Sequence, residues 1–455
     1  MLKWGGKGLL AAFLALLVLA AGRGDYRPST LDLVVAPYKY SLVRWELSHF
    51  LEKWVNKLED LTPWASQPSQ DDRIAQAVEF FALGVTLGDL EHQLRFPEAG
   101  AEASLSEDQA RSLRSRIDEI RQRRRHLRGS VEETIEAEVS AVLAQEGFAS
   151  RIGLIFPPVD TVFSGSPGAL ILSPRDRIDR QSTILLTPGL DDEVKEQIEE
   201  RIFHGENLAA LVASTGGVAT YPSVVSDSGS LHHAVVTTAH EWLHHWFFFQ
   251  PLGQHFWDSP QMTTLNETAA TLGGRAIGDR AFTAMTGEQI DRDPPPQSPP
   301  VLDPEAFNFD PAMRETRVRT EELLAEGKIE EAEAYMEERR LFLADNGIFI
   351  RKINQAYFAF HGSYATSAAS ISPIDAQLRE LQSRSGSLEG FIKTVGRFGS
   401  YQEFLGHLVQ PRARQDPATD GQSAGIEKQA NGPRTLDDGK LLVPQGVSRA
   451  WASIP

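Results

Sequence analysis

Residues 240–245 read His-Glu-Trp-Leu-His-His, and Glu267 stands 23 positions after His244. No other part of the chain restricts its fold and chemistry as much. His240 and His244 are four residues apart, about 400° of an α-helix, so their imidazoles leave nearly the same face one turn apart. Both can reach one cation at roughly 2 Å. Glu241 lies about 100° round from His240. There it can take a proton from metal-activated water without filling the coordination shell. The chain has no cysteine, so a metal here can be held only by His, Asp or Glu. The alternative is an aromatic core helix with structural histidines. That helix would bury Glu241 and Glu267 near each other with no cation, which is costly.

Glu267 is the candidate third ligand. It lies on a helix expected to open with Ser259 as N-cap and Pro260 in the first helical position, and to run to about Gly278. Pro251 and Gly253 can turn the chain back between the two helices. Ala269, Leu272, Gly273 and Ala276 offer a small-residue face for close packing.

The pattern His240-Glu241-x-x-His244 followed by Asn266-Glu267-x-x-Ala270 resembles the gluzincin branch of zinc metallopeptidases, over about residues 240–278. The resemblance implies one Zn²⁺ per chain, held by His240, His244 and Glu267, with Glu241 as general base. It implies a peptide or protein substrate and a zincin-like core. Thermolysin-like members carry an acid four residues after the ligand glutamate. Here that position is Thr271, so support for the ligands comes from a hydroxyl, from Asn266 or from elsewhere. Gluzincins recruit a downstream Tyr or His for the oxyanion, which points to Tyr364, then His361, in "QAYFAFHGSYATS". They also bind substrate backbone along an edge strand before the histidine helix. That places Ala219, Thr220 and Tyr221, in the expected strand 216–225, at the substrate. No glycine-rich aminopeptidase motif is present, which points away from an aminopeptidase toward an undefined or endopeptidase-like specificity. Other readings are an inactive or non-peptidase zinc-binding protein, and a membrane-tethered helical scaffold.

Residues 1–24 have the layout of a signal peptide or membrane anchor. Lys3 and Lys7 precede an apolar run from Leu9 to Ala21. This predicts an extracytoplasmic protein, membrane-anchored or secreted. Residues 25–150 read as helical. Helices are expected from Ser41 to Leu58 and over 72–94, with capping boxes at Ser106/Gln109 and Ser130/Glu133 opening two more. The basic run 121–128 reads as a solvated helix face paired with acids. From 151 to 285 the texture is a small sheet plus the two site helices. Strands are expected at 151–156, 160–165, 168–173 and 182–187, and a helix over 191–203. Residues 206–215 fit either helix or strand. A proline-rich linker covers 286–309, a helical region 310–409, and a disordered tail 410–455. The expected fold class is therefore α+β and predominantly helical, with a zincin-like core. With a net charge of −17, the chain is not expected to bind nucleic acid.

Overall fold

A computed structural model describes residues 28–42, 45, 69–95, 106–290 and 307–409. The N-terminal apolar segment, the helix expected from Ser41, residues 291–304 of the linker and the tail lie outside these residues, wholly or almost so. The fold is mixed α+β and mostly helical. Among the described residues, no helix is long and apolar enough to cross a membrane.

The N-terminal part contributes α1 (Thr30–Val35), α2 (Gln70–Arg95) and α3 (Glu107–Gln145). Ser106 and Gln109 do form a capping box at the start of α3. Ser130 does not open another helix. It lies inside α3, where its hydroxyl donates to Gln76 of α2 at 2.7 Å. The basic run is held by acids: Arg123 grips Glu79 at 2.7 and 2.8 Å, Arg121 meets Glu91 at 2.8 Å, and Arg124 faces Asp227 at 3.4 Å.

Two small sheets follow rather than one. The first contains β2 (Gly168–Pro174), β3 (Ser182–Leu186) and β4 (Leu208–Ser214), in the order β3-β2-β4 and antiparallel throughout. Residues 206–215 thus resolve to a strand. Its apolar run is continuous because both faces are covered. Leu170, Leu172, Ala210 and Val212 pack toward α1 and α4 (Asp192–Glu206). Ala169, Ile171, Ala209 and Leu211 pack on the opposite side against α10 (Gln355–His361).

The second sheet joins β1 (Thr161–Ser164), β5 (Gly217–Val218) and β6 (Ser223–Ser226) in the order β1-β6-β5. The expected strand 216–225 is therefore a short hairpin, with residues 219–222 as its connection. Residues 151–156 form no strand. Ile152, Leu154 and Phe156 are exposed, and alternation without a partner strand has nothing to pair with.

Among the described residues, three of the four sheet edges are covered. Residues 38–40 cover β3 through the Tyr40 N–H to Leu185 and the Thr187 N–H to Tyr38. Glu199, Arg351 and Asn354 take the outward groups of β4. Buried Glu136 and Glu132 of α3 accept the Thr161 and Phe163 N–H groups of β1, each at 2.8 Å. The fourth edge, β5, is different. Ser226 donates to the Gly216 carbonyl at 2.8 Å, so Gly217 occupies the non-bonded register opposite Val225. Its N–H and C=O therefore point away from the sheet.

The large helical core packs α2, α3, α5 (Leu231–Phe248), α7 (Pro260–Thr286), α11 (Ile374–Arg384), α12 (Leu388–Val395) and α13 (Tyr401–Val409) together. The short α6 (Pro251–Gln254) joins α5 to α7. A hairpin of α8 (Phe309–Ala325) and α9 (Ile329–Asp345) turns at Gly327, whose φ is +75°, a region open to glycine.

Candidate metal centre

Helix α5 begins at Ser230, whose hydroxyl accepts the His233 N–H, and α7 begins at Ser259, whose hydroxyl accepts the Met262 N–H. The two helices lie unusually close. A Cβ on Gly274 would stand 2.9 Å from His240 Cα, and one on Gly278 would stand 2.5 Å from Val236 Cα. The close-approach face is thus Glu267, Gly274 and Gly278. Of the expected face, Gly273 meets Leu243 of α5 and Ile392 of α12, while Ala269 and Leu272 are buried in the surrounding core.

This approach brings Glu267 to the histidine pair. The Nε2 atoms of His240 and His244 are 3.0 Å apart. Glu267 Oε2 is 3.4 Å from His244 Nε2 and 3.7 Å from His240 Nε2. Three ligand atoms at tetrahedral corners, each roughly 2.1 Å from a cation, would lie about 3.4 Å from one another. The observed triangle brackets that spacing. It is the one such His/Asp/Glu group among the described residues.

The donor chemistry also fits a cation. Asn266 turns its Nδ2 toward the Leu252 carbonyl at 3.3 Å, which fixes Oδ1 as the atom facing His244 Nδ1 at 2.9 Å. His244 Nδ1–H then donates to Asn266, and neutral His244 aims the lone pair of Nε2 inward. Glu267 Oε2 is buried with no hydrogen-bond donor. Burial opposes charge on His244, but Glu267 outweighs it and lifts the imidazole pKa to about 9. Burial raises Glu267 as well, yet the two histidines win and hold it well below the usual carboxylate range. Positive charge is therefore favoured among these three side chains. A divalent cation supplies it in place of a proton.

Glu241 is buried beside the group. Burial raises its pKa and Glu267 adds to the rise, against the pull of His240 and His244. Its carboxylate rises toward β5: a Cβ on Gly217 would sit 2.5 Å from Glu241 Oε1. Any other residue there would displace the carboxylate or the strand. Glu241 thus lies against the face of β5 and beside the three donor atoms.

The remaining residues singled out from sequence divide clearly. Tyr364 is half-buried next to Glu267. Burial is the main cause of its strongly raised pKa, Glu267 and Glu241 add to it, and Arg180 opposes it. His361 packs instead against Tyr357, with ring centroids 4.4 Å apart, and burial lowers its pKa to about 4. The Thr271 hydroxyl donates to the Glu267 backbone carbonyl at 2.8 Å, within its own helix, so Asn266 is the side chain that orients a ligand. Ala219, Thr220 and Tyr221 form the β5–β6 connection. Thr220 is buried, and its carbonyl faces His245 Nε2 at 2.7 Å. Burial lowers His245 to a pKa of about 4, so it is a neutral donor that fastens this connection to α5. Phe256, 6.4 Å from the His244 ring, and Trp257 beyond it form a wall that the sequence reading missed. Aromatics in a connection, half-buried Phe256 and exposed Trp257, carry no periodic signal.

Comparisons with family models, with curated proteins and with solved structures found no match.

Proposed function

We propose that this chain is a zinc metallopeptidase with a zincin-like core. The observation that carries the reading is the convergence of His240, His244 and the donor-less Glu267 Oε2, with Glu241 beside them against the face of β5, whose outer edge has no strand partner among the described residues. Two imidazoles and one carboxylate at near-tetrahedral spacing suit Zn²⁺. When bound, zinc polarises a carbonyl and lowers the pKa of water toward about 7.

The chain's own groups have these roles. The outward N–H and C=O of Gly217 pair with an extended peptide, which adds a strand to β5. Glu241 takes a proton from the attacking water as oxygen adds to the scissile carbonyl carbon. It passes that proton to the nitrogen as the C–N bond breaks, giving a carboxylic acid and an amine. The Tyr364 hydroxyl donates to the developing oxyanion. Its raised pKa keeps the phenol protonated for that task. The N-terminal Lys3, Lys7 and apolar run support work outside the cytoplasm, with the chain tethered or secreted.

Peptide-library cleavage by zinc-loaded wild type and Glu241→Gln tests the reading. Wild type is expected to cut, and the variant to keep zinc without cutting. A zinc-binding wild type that cuts nothing would favour a non-peptidase or inactive zinc protein.

A further inference from the structure

Arg180 precedes β3, in the turn between β2 and β3, and shares the neighbour Phe360 with Tyr364, whose ring centre lies 6.0 Å from that of Phe360. It lowers the proton affinity of that phenol, and its guanidinium lies between two aromatic walls, 5.9 Å from the Trp257 ring centre and 5.6 Å from that of Phe360. Those separations are near the outer limit of a cation–π contact. Its Nε donates to Thr183 Oγ1 at 2.8 Å. Its Nη1 is buried and has no hydrogen-bond partner. Arg124, Arg175, Arg317 and Arg351 each hold a carboxylate. Arg180 holds none among the described residues. A buried guanidinium nitrogen left unpaired is costly unless a ligand completes it.

We propose that Arg180 is the carboxylate-recognition residue of the cleft: its guanidinium binds a substrate carboxylate, either an acidic side chain or a free C-terminus, on the Tyr364 side of the scissile bond. The planar fork matches a carboxylate with two parallel N–H···O bonds. Nε is already committed to Thr183, which fixes the plane and leaves the terminal nitrogens for the ligand. The proposal rests on the hydrolase reading for the position of the scissile bond, but not for the anion site itself.

The test uses the full zinc-loaded chain and matched peptides with Glu or Gln at one position, each as free acid and as C-terminal amide. Wild type is expected to favour one carboxylate form over its neutral match by at least about tenfold in kcat/KM. Comparing the Glu/Gln pair with the acid/amide pair tells which source of carboxylate is read. Arg180→Gln should erase the preference while still cutting the neutral peptide, and Arg180→Lys should restore part of it. Equal preference in wild type and Arg180→Gln, or no preference in wild type, overturns the proposal. Affinity of zinc-loaded Glu241→Gln protein for the same peptides, with and without Arg180→Gln, gives a readout independent of turnover. If wild type cuts nothing, the hydrolase reading fails. This binding difference then decides the anion site: its presence upholds Arg180 and its absence overturns it.

Discussion

Glu199 and Glu267 are both buried, 2% and 7% exposed, yet their surroundings differ in kind. Glu199 is enclosed by donors. The Val212 N–H reaches its Oε1 at 2.7 Å, the Lys352 ammonium reaches Oε2 at 2.8 Å, and the Arg351 guanidinium grips both oxygens. It covers a strand edge, and its charge is answered within the chain. Glu267 has no donor on Oε2 and faces two imidazole nitrogens, one of them held by Asn266 in the orientation that turns a lone pair toward it. A buried carboxylate satisfied by fixed cations is part of the scaffold. One set beside two imidazoles favours positive charge there, either a proton on His244 or a bound cation that replaces it. Glu241 is a third case. It is buried with its pKa raised, and suits taking up and releasing a proton.

Substitutions can break this contrast. The largest expected effect is on Glu241. Glu241→Gln should lower peptide turnover by about 10²–10⁴-fold with zinc content and thermal midpoint unchanged, measured by single-turnover cleavage and metal analysis. Glu199→Ala should do the reverse. It leaves Arg351 and Lys352, each about a quarter exposed, without their partner and should cost about 2–3 kcal/mol in urea unfolding, while the folded protein still binds zinc. Chelation comes next. With free zinc at about 100 times its dissociation constant, zinc adds about 2.7 kcal/mol to stability. Chelator should remove that increment from wild type and change nothing in Glu267→Ala. The smallest effect is on Asn266. Asn266→Ala should weaken zinc affinity by about 10–100-fold, read by competition with a fluorescent chelator, and leave the metal-free protein folded.

Much of the candidate site was legible before any coordinates. The i, i+4 histidines, the adjacent glutamate and the capped helix carrying Glu267 each follow from helical geometry, which needs only local sequence. What brings the helices together was misplaced. Gly274 and Gly278 share a face with Glu267, about half a turn from the centre of the face read from sequence, and local small-residue spacing alone does not say which of them meet a neighbour. Ser130 and Glu133 match a capping box, yet the same spacing occurs inside any helix, and α2 supplies the partner. The run 206–215 was ambiguous because burial on both faces removes alternation. The covered and open sheet edges depend on Glu132, Glu136 and Glu199 reaching strands 13 to 31 residues away, and no local pattern encodes that pairing.

The most direct test is metal stoichiometry on folded, purified protein: wild type, His240→Ala, Glu267→Ala and Glu199→Ala, each dialysed against zinc and then buffer. The account predicts about one zinc per chain in wild type and Glu199→Ala, and none retained in His240→Ala or Glu267→Ala. A folded wild type that retains no zinc, or a Glu267→Ala variant that retains it as wild type does, would contradict it.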